Sequence, residues 1–157
     1  MGHPLPDASQ VRELLRDLVG KQVTVELRKD APPPARSLVA VWADAAGVAS
    51  TAALCDLPFA ASAGAALALV PAGVAEDSVK AKTLDPMLLE NLSEVLNVAS
   101  RWFNQSGAPP VRLGTIYPSS DELPDDVASL VAKPAARRDL TIGITGYSGG
   151  TLSLLSA

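Results

Sequence analysis

The spacing of hydrophobic positions changes several times along the chain, and each change marks an element. Val11, Leu14, Leu15 and Leu18 recur at helical intervals. Asp7 stands three residues before Gln10, the acceptor-then-amide spacing of a helix start, and Gly20 supplies a left-handed stop. This pattern predicts a helix over about residues 8–19. Val23, Val25 and Leu27 then alternate with Thr24, Glu26 and Arg28, as in a half-buried strand. Pro32, Pro33 and Pro34 interrupt the pattern with a stiff, exposed connection. Ser37 to Trp42 and Val48 to Leu54 read as two strands, with hairpin-turn chemistry at Asp44 and Gly47.

Asp56 followed by Pro58 opens an Ala-rich helix that runs to about Val70, where Pro71 and Gly73 end it. Residues 71–83 read as a loop of mixed charge. Asp85-Pro86 opens the longest helix, about residues 86–104, which stops before Gly107, Pro109 and Pro110. Val111 to Tyr117 is a strand, Ser119 to Asp126 an acidic loop, and Asp125 to Ala132 a short helix. Leu140, Ile142 and Ile144 alternate again. Gly146 to Gly150 turns, and Thr151 to Leu155 returns as the second arm of a closing hairpin. There is no regular βαβ alternation and no internal repeat. The expected fold is α+β, a mostly antiparallel sheet with a long amphipathic helix and a shorter Ala-rich helix on one face.

The 157 residues suit one domain, read here as spanning 1–157 with residues 1–7 loose. Hydrophobic residues are 48% but aromatics only 4%, so the core must be built from Ala, Val and Leu. A net charge of −4 lacks the basic footprint of a nucleic-acid binder. The apolar stretch Ala60–Val70 is too short to span a bilayer, and the first ten residues carry no signal-peptide pattern. The single cysteine, Cys55, excludes an intramolecular disulfide and suits a reducing, cytoplasmic setting.

On a helical wheel for residues 86–104, Leu88, Leu92, Val95, Leu96, Ala99 and Phe103 form an apolar stripe expected to pack on the sheet. Glu90, Glu94, Asn97 and Arg101 fall on the opposite side, with Glu94 and Asn97 three residues apart and therefore neighbours. The segment Ser93-Glu94-Val95-Leu96-Asn97 resembles the Glu-x-x-Asn motif of the CheC/CheX family of chemotaxis phosphatases. The surrounding layout is similar too: a hairpin with a Gly turn, a helix of small residues, the long helix, then a strand and a closing hairpin. The single motif matches the CheX branch.

That resemblance implies a CheX/CheC-like fold and a substrate, the aspartyl phosphate of a phosphorylated CheY-type receiver domain. Asn97 would orient the attacking water, and Glu94 would pair with the receiver's lysine. Glu90 and Arg101 would flank the docking surface. No cofactor would be held by this chain; Mg2+ would sit on the receiver. Arg101 and Trp102 stand where the family has small residues, and Pro118 comes slightly early. These departures motivate a second reading, a non-catalytic binding or regulatory module of the same fold in chemotaxis, motility or two-component signalling. A third is a structural piece of a motility assembly. Exposed sheet edges or Trp102 could serve a homodimer.

Other motifs carry less. Gly146-Tyr147-Ser148-Gly149-Gly150 matches the Gly-x-Ser-x-Gly nucleophile elbow, but a strand follows it and no His does, so it reads as a hairpin turn. His3 is the only His and is expected to be solvent-exposed. Cys55 reads as a small buried apolar residue. Asp121, Glu122, Asp125 and Asp126 lack the spacing of a Ca2+ loop, and Asp85 reads as a helix cap.

Overall fold

In a computed structural model, which describes residues 3–29, 37–105 and 107–157, one antiparallel sheet organises the chain. Its strands are β1 (Val23–Leu27), β2 (Leu38–Ala43), β3 (Ala49–Cys55), β4 (Arg112–Tyr117), β5 (Ala136–Ile144) and β6 (Gly150–Ser156), in the order β1-β5-β6-β3-β2-β4. The helices are α1 (Ala8–Val19), α2 (Leu57–Leu67), α3 (Ala72–Ala81), α4 (Pro86–Val98) and α5 (Asp125–Ala132). Pro32 to Pro34, read as a stiff connection, lie outside the described residues.

Local chemistry explains the element boundaries. Asp7 and Gln10 close a full capping box on α1, and Gly20, at φ 67°, ends it in the left-handed conformation that glycine adopts at little cost. Asp56 accepts from the Phe59 amide at the start of α2, and Asp85 from the Met87 amide at the start of α4. Asp44 accepts from the amides of Ala46 and Val48 and so shapes the β2–β3 turn.

The two faces of the sheet are covered differently. Leu38, Ala40, Trp42, Ala53, Cys55, Leu140, Ile142, Leu152 and Leu154 join Val11, Leu15, Phe59, Ala63, Leu92 and Phe103 in the main core, under α1, α2 and α4. The alternate residues Val39, Val41, Ala52, Leu54 and Leu155 pack against Val127 and Leu130 of α5. The expected long and Ala-rich helices do lie on one face. The short helix α5 goes to the other, because β2, β3 and the end of β6 are apolar on both sides and must be covered twice.

Three expectations need correction. Residues 71–83 are not a loop: α3 occupies Ala72–Ala81, starting directly after Pro71, with Lys82 left-handed at its end. It buries Ala75 against Ala61, Ala65 and Leu88, with Val74 and Val79 only partly buried beside it, so its fully buried positions are small residues that give little periodic signal. The long helix stops at Val98, and Ala99–Trp102 tightens into a 3-10 turn. The amides of Phe103 and Asn104 both donate to the Ser100 carbonyl, and Trp102 and Phe103 both turn inward. Third, the α4 stripe meets α2 before it meets the sheet. At the crossing, a Cβ on Gly64 would collide with the Leu88 carbonyl, and Asn91 Nδ2 donates to the Gly64 carbonyl at 2.9 Å.

His3 is also placed differently from its expected exposure. It is 6% exposed, and its Nε2–H donates to the Pro109 carbonyl at 2.6 Å. Arg138 Nη1 donates to the carbonyls of Leu5 and Pro6, which ties the segment before α1 to β5.

Candidate functional site

The Glu94–Asn97 pair is held by its own neighbours in sequence. Val95 and Leu96, between them, are 1% exposed and locked in the core, so the helix cannot rotate without unburying them. Glu94 and Asn97 therefore point to solvent together. Neither side chain has a hydrogen-bond or ion-pair partner among the described residues. The carboxylate can only accept, whereas the amide can both donate and accept.

Glu90 and Arg101 are exposed as well, but they diverge. Glu90 lines a groove of about 330 Å3 between α4 and β4, with Pro86, Leu89, Ser93, Gly114 and Ile116. Arg101, displaced by the 3-10 turn, faces a second groove of about 350 Å3 against α1, where Glu13 and Asp17 lie. No ion pair joins Arg101 to Glu90 or Glu94 among the described residues. The four polar residues read from the wheel as one surface are thus a central pair with two flanks in separate grooves.

The two tryptophans are both buried, which withdraws Trp102, at 4% exposure, from any role as an exposed dimer contact. Trp42 Nε1 donates to Ser100 Oγ at 2.9 Å. Trp102 Nε1 has no acceptor among the described residues, and its ring stands edge-on to Phe103 with centroids 6.4 Å apart.

The remaining polar motifs resolve into structure. Ser148 sits in the hairpin between β5 and β6, as read, and its Oγ lies 3.4 Å from Ser62 Oγ. Thr151 Oγ1 donates to Asp56 Oδ2 at 2.8 Å and Tyr147 Oη to the Val70 carbonyl at 2.6 Å, so this turn braces α2. Cys55 is buried, and burial pushes its thiol up, with the Asp56 charge adding to the effect, as suits a packed core residue. On the α5 face of the sheet, burial pushes the Asp139 carboxyl up. Hydrogen bonds from Arg137 and Ser153 and the Arg137 and Arg28 charges outweigh burial and hold the carboxyl below its ordinary value. Among the described residues, no three His, Cys, Asp or Glu side chains gather closely enough to hold a metal ion, and no helix is long and apolar enough to cross a membrane.

Solved structures resemble the fold of this chain. The chain aligns over 95% of its length with 85% of a chain in the FliG–FliM complex from H. pylori, at a TM-score of 0.55 and 11% identity. It aligns over 95% with 88% of the FliM middle domain from Vibrio alginolyticus, at 0.54 and 10%. The chain has the FliM middle-domain fold. Thermotoga maritima FliY is similar as well, at a TM-score of 0.53 and 10% identity over 93% of this chain and 82% of that one. The expected CheC/CheX-like architecture is met at the level of fold, through FliM and FliY rather than through a CheX chain. No family model matches the sequence. No curated protein matches it either. Identities of 10–11% carry the fold alone.

The sequence pattern did not pick out the α4–β4 groove. The available signal was Leu89, an apolar residue outside the buried stripe that lines the groove and is 37% exposed.

Proposed function

We propose that this chain is a protein-binding module of chemotaxis or motility, docking its partner on the exposed face of α4. The observation that carries the reading is the Glu94–Asn97 pair, solvent-facing, rigidly mounted and without side-chain partners among the described residues. The pair is flanked by exposed Met87 and Leu89, a combination of polar and apolar surface that suits a transient interface. The likeness to FliM, which has been solved in complex with FliG, supports a role in partner binding over one in catalysis.

The test is calorimetric titration of the wild-type chain against a beryllofluoride-activated CheY-type receiver and, separately, a FliG-type protein from the same source. Binding of either that is lost in Glu94→Lys, with an unchanged melting temperature, is the expected result. Binding by neither, or binding indifferent to Glu94→Lys, would remove the proposal.

A second reading keeps the chemistry. An unencumbered amide at Asn97, one helical turn from Glu94, is what orientation of a water at a receiver's aspartyl phosphate requires. In that reading, the chain accelerates dephosphorylation of the receiver, and Asn97→Ala abolishes the acceleration without altering the melt. A receiver that loses phosphate at the same rate with and without the chain eliminates it.

A further inference from the structure

The groove between α4 and β4 is built around a glycine that the fold does not require. Gly114 lies inside β4, opposite a register shift in the β2–β4 pairing, where glycine usually signals a positive φ or a close backbone approach. Neither holds here. Gly114 is not among the residues of positive φ, and the nearest atom to an added Cβ would be the Val41 carbonyl oxygen at 3.4 Å, an ordinary contact. Glycine inside a strand weakens it, and the backbone here leaves room for at least a Cβ. What its missing side chain does provide is space: Gly114 is one wall of the groove of about 330 Å3.

The other walls define what would fit. Leu89, Ile116 and Pro86 make the groove largely apolar, and Glu90 is its only charged lining residue. Glu94 stands one turn further along α4, also exposed and without an ion-pair partner among the described residues. An aliphatic side chain would fill the space, and a cation beside it would meet Glu90 and Glu94 with no competing basic residue in the groove.

We infer that the α4–β4 groove is the anchor pocket of the docking face, taking an aliphatic side chain flanked by a lysine or arginine on a partner protein. The inference rests on the binding reading above and specifies the chemistry of its partner. Gly114 is then a specificity residue, kept small so that the anchor can enter. Its position at the foot of α4 also places the anchor beside the Glu94–Asn97 pair rather than on it.

Two measurements test this. In the first, amide NMR shifts of the wild-type chain are followed during titration with acetyl-Leu-Lys-amide, with acetyl-Ser-Glu-amide as control. Shifts concentrated at Leu89, Ser93, Gly114 and Ile116 with the first peptide only, and absent in Gly114→Val, are expected. Shifts scattered elsewhere, equal for both peptides, or retained in Gly114→Val overturn the inference. In the second, Gly114→Val is titrated with whichever protein partner the wild type binds. A tenfold or greater loss of affinity, with a melting temperature equal to or above wild type, is expected. Unchanged affinity overturns the pocket and leaves the docking reading standing. If the basic dipeptide fills the groove but neither protein partner binds, the pocket stands and the choice of partner falls.

Discussion

Replacing Gly64 by alanine sets two opposed effects against each other. Gly64 lies within α2, where alanine is favoured over glycine by about 1 kcal/mol through helix propensity alone. On the structure, however, the new methyl would collide with the Leu88 carbonyl of α4. The obstacle is backbone and cannot rotate away, so the two helices must separate. Forcing an extra methyl into a packed contact costs typically about 1–3 kcal/mol. Separation also stretches the bond from Asn91 Nδ2 to the Gly64 carbonyl, worth on the order of 1 kcal/mol. The net expectation is destabilisation of roughly 1–3 kcal/mol. At about 2 kcal/mol, a domain of this size melts roughly 4–8 °C lower. Urea unfolding followed by far-UV circular dichroism, with a thermal melt in parallel, measures it. The reasoning is refuted if Gly64→Ala is as stable as wild type or more so, since helix propensity would then be the larger effect and the crossing would not be tight.

Further perturbations test other parts of the fold. Ser100→Ala strands the fully buried Trp42 indole N–H, whose acceptor is Ser100 Oγ, and should lower stability by about 1–3 kcal/mol; an unmoved urea midpoint would contradict that. Asp56→Ala removes both the cap of α2 and the acceptor for Thr151, with an expected loss of about 2 kcal/mol, and Thr151→Val should recover part of the difference in a double-mutant cycle. Asp139 has a folded-state pKa below its unfolded value of about 3.9. Its contribution is therefore complete above that unfolded value and lost as pH falls through the folded one. Asp139→Asn should flatten the acid limb of stability against pH, and an identical slope below pH ~4 would rule this out.

Much of the fold could be read from the chain because its signals were local. Alternation in Val23–Leu27 and Leu140–Ile144, caps at Asp7, Asp56 and Asp85, and turn chemistry at Asp44 and Gly47 each act within a few residues, and the structure places elements there. The failures were tertiary. Nothing near Ser100 announces that Trp42, far away in sequence, needs its hydroxyl at the turn where α4 ends. Helix α3 buries fully only Ala75 and Ser78, which are small enough to pass for loop residues. The Glu94–Asn97 pair was visible as helical spacing, and its exposure followed from the buried Val95 and Leu96 between them. The parting of Glu90 and Arg101 into separate grooves was not legible, because it depends on where the helix tightens and on which neighbours flank each end.

The strand order has a bearing on how the protein is made. Among the described strands β6 comes last in sequence, yet it lies in the middle of the sheet, between β5 and β3. As the chain leaves the ribosome, β2 and β3 can zip early as a local hairpin, but β3 keeps an unpaired apolar edge. The first strand must wait for Ile144 to emerge before Val23 has its partner. Two half-sheets therefore stay separate until residues 150–156 arrive to stitch them together, and such distant pairings are the slow kind. Protection of the nascent chain matters most in the interval before β6 emerges, and a chain cut short before Gly150 would lose the seam of the sheet rather than its border.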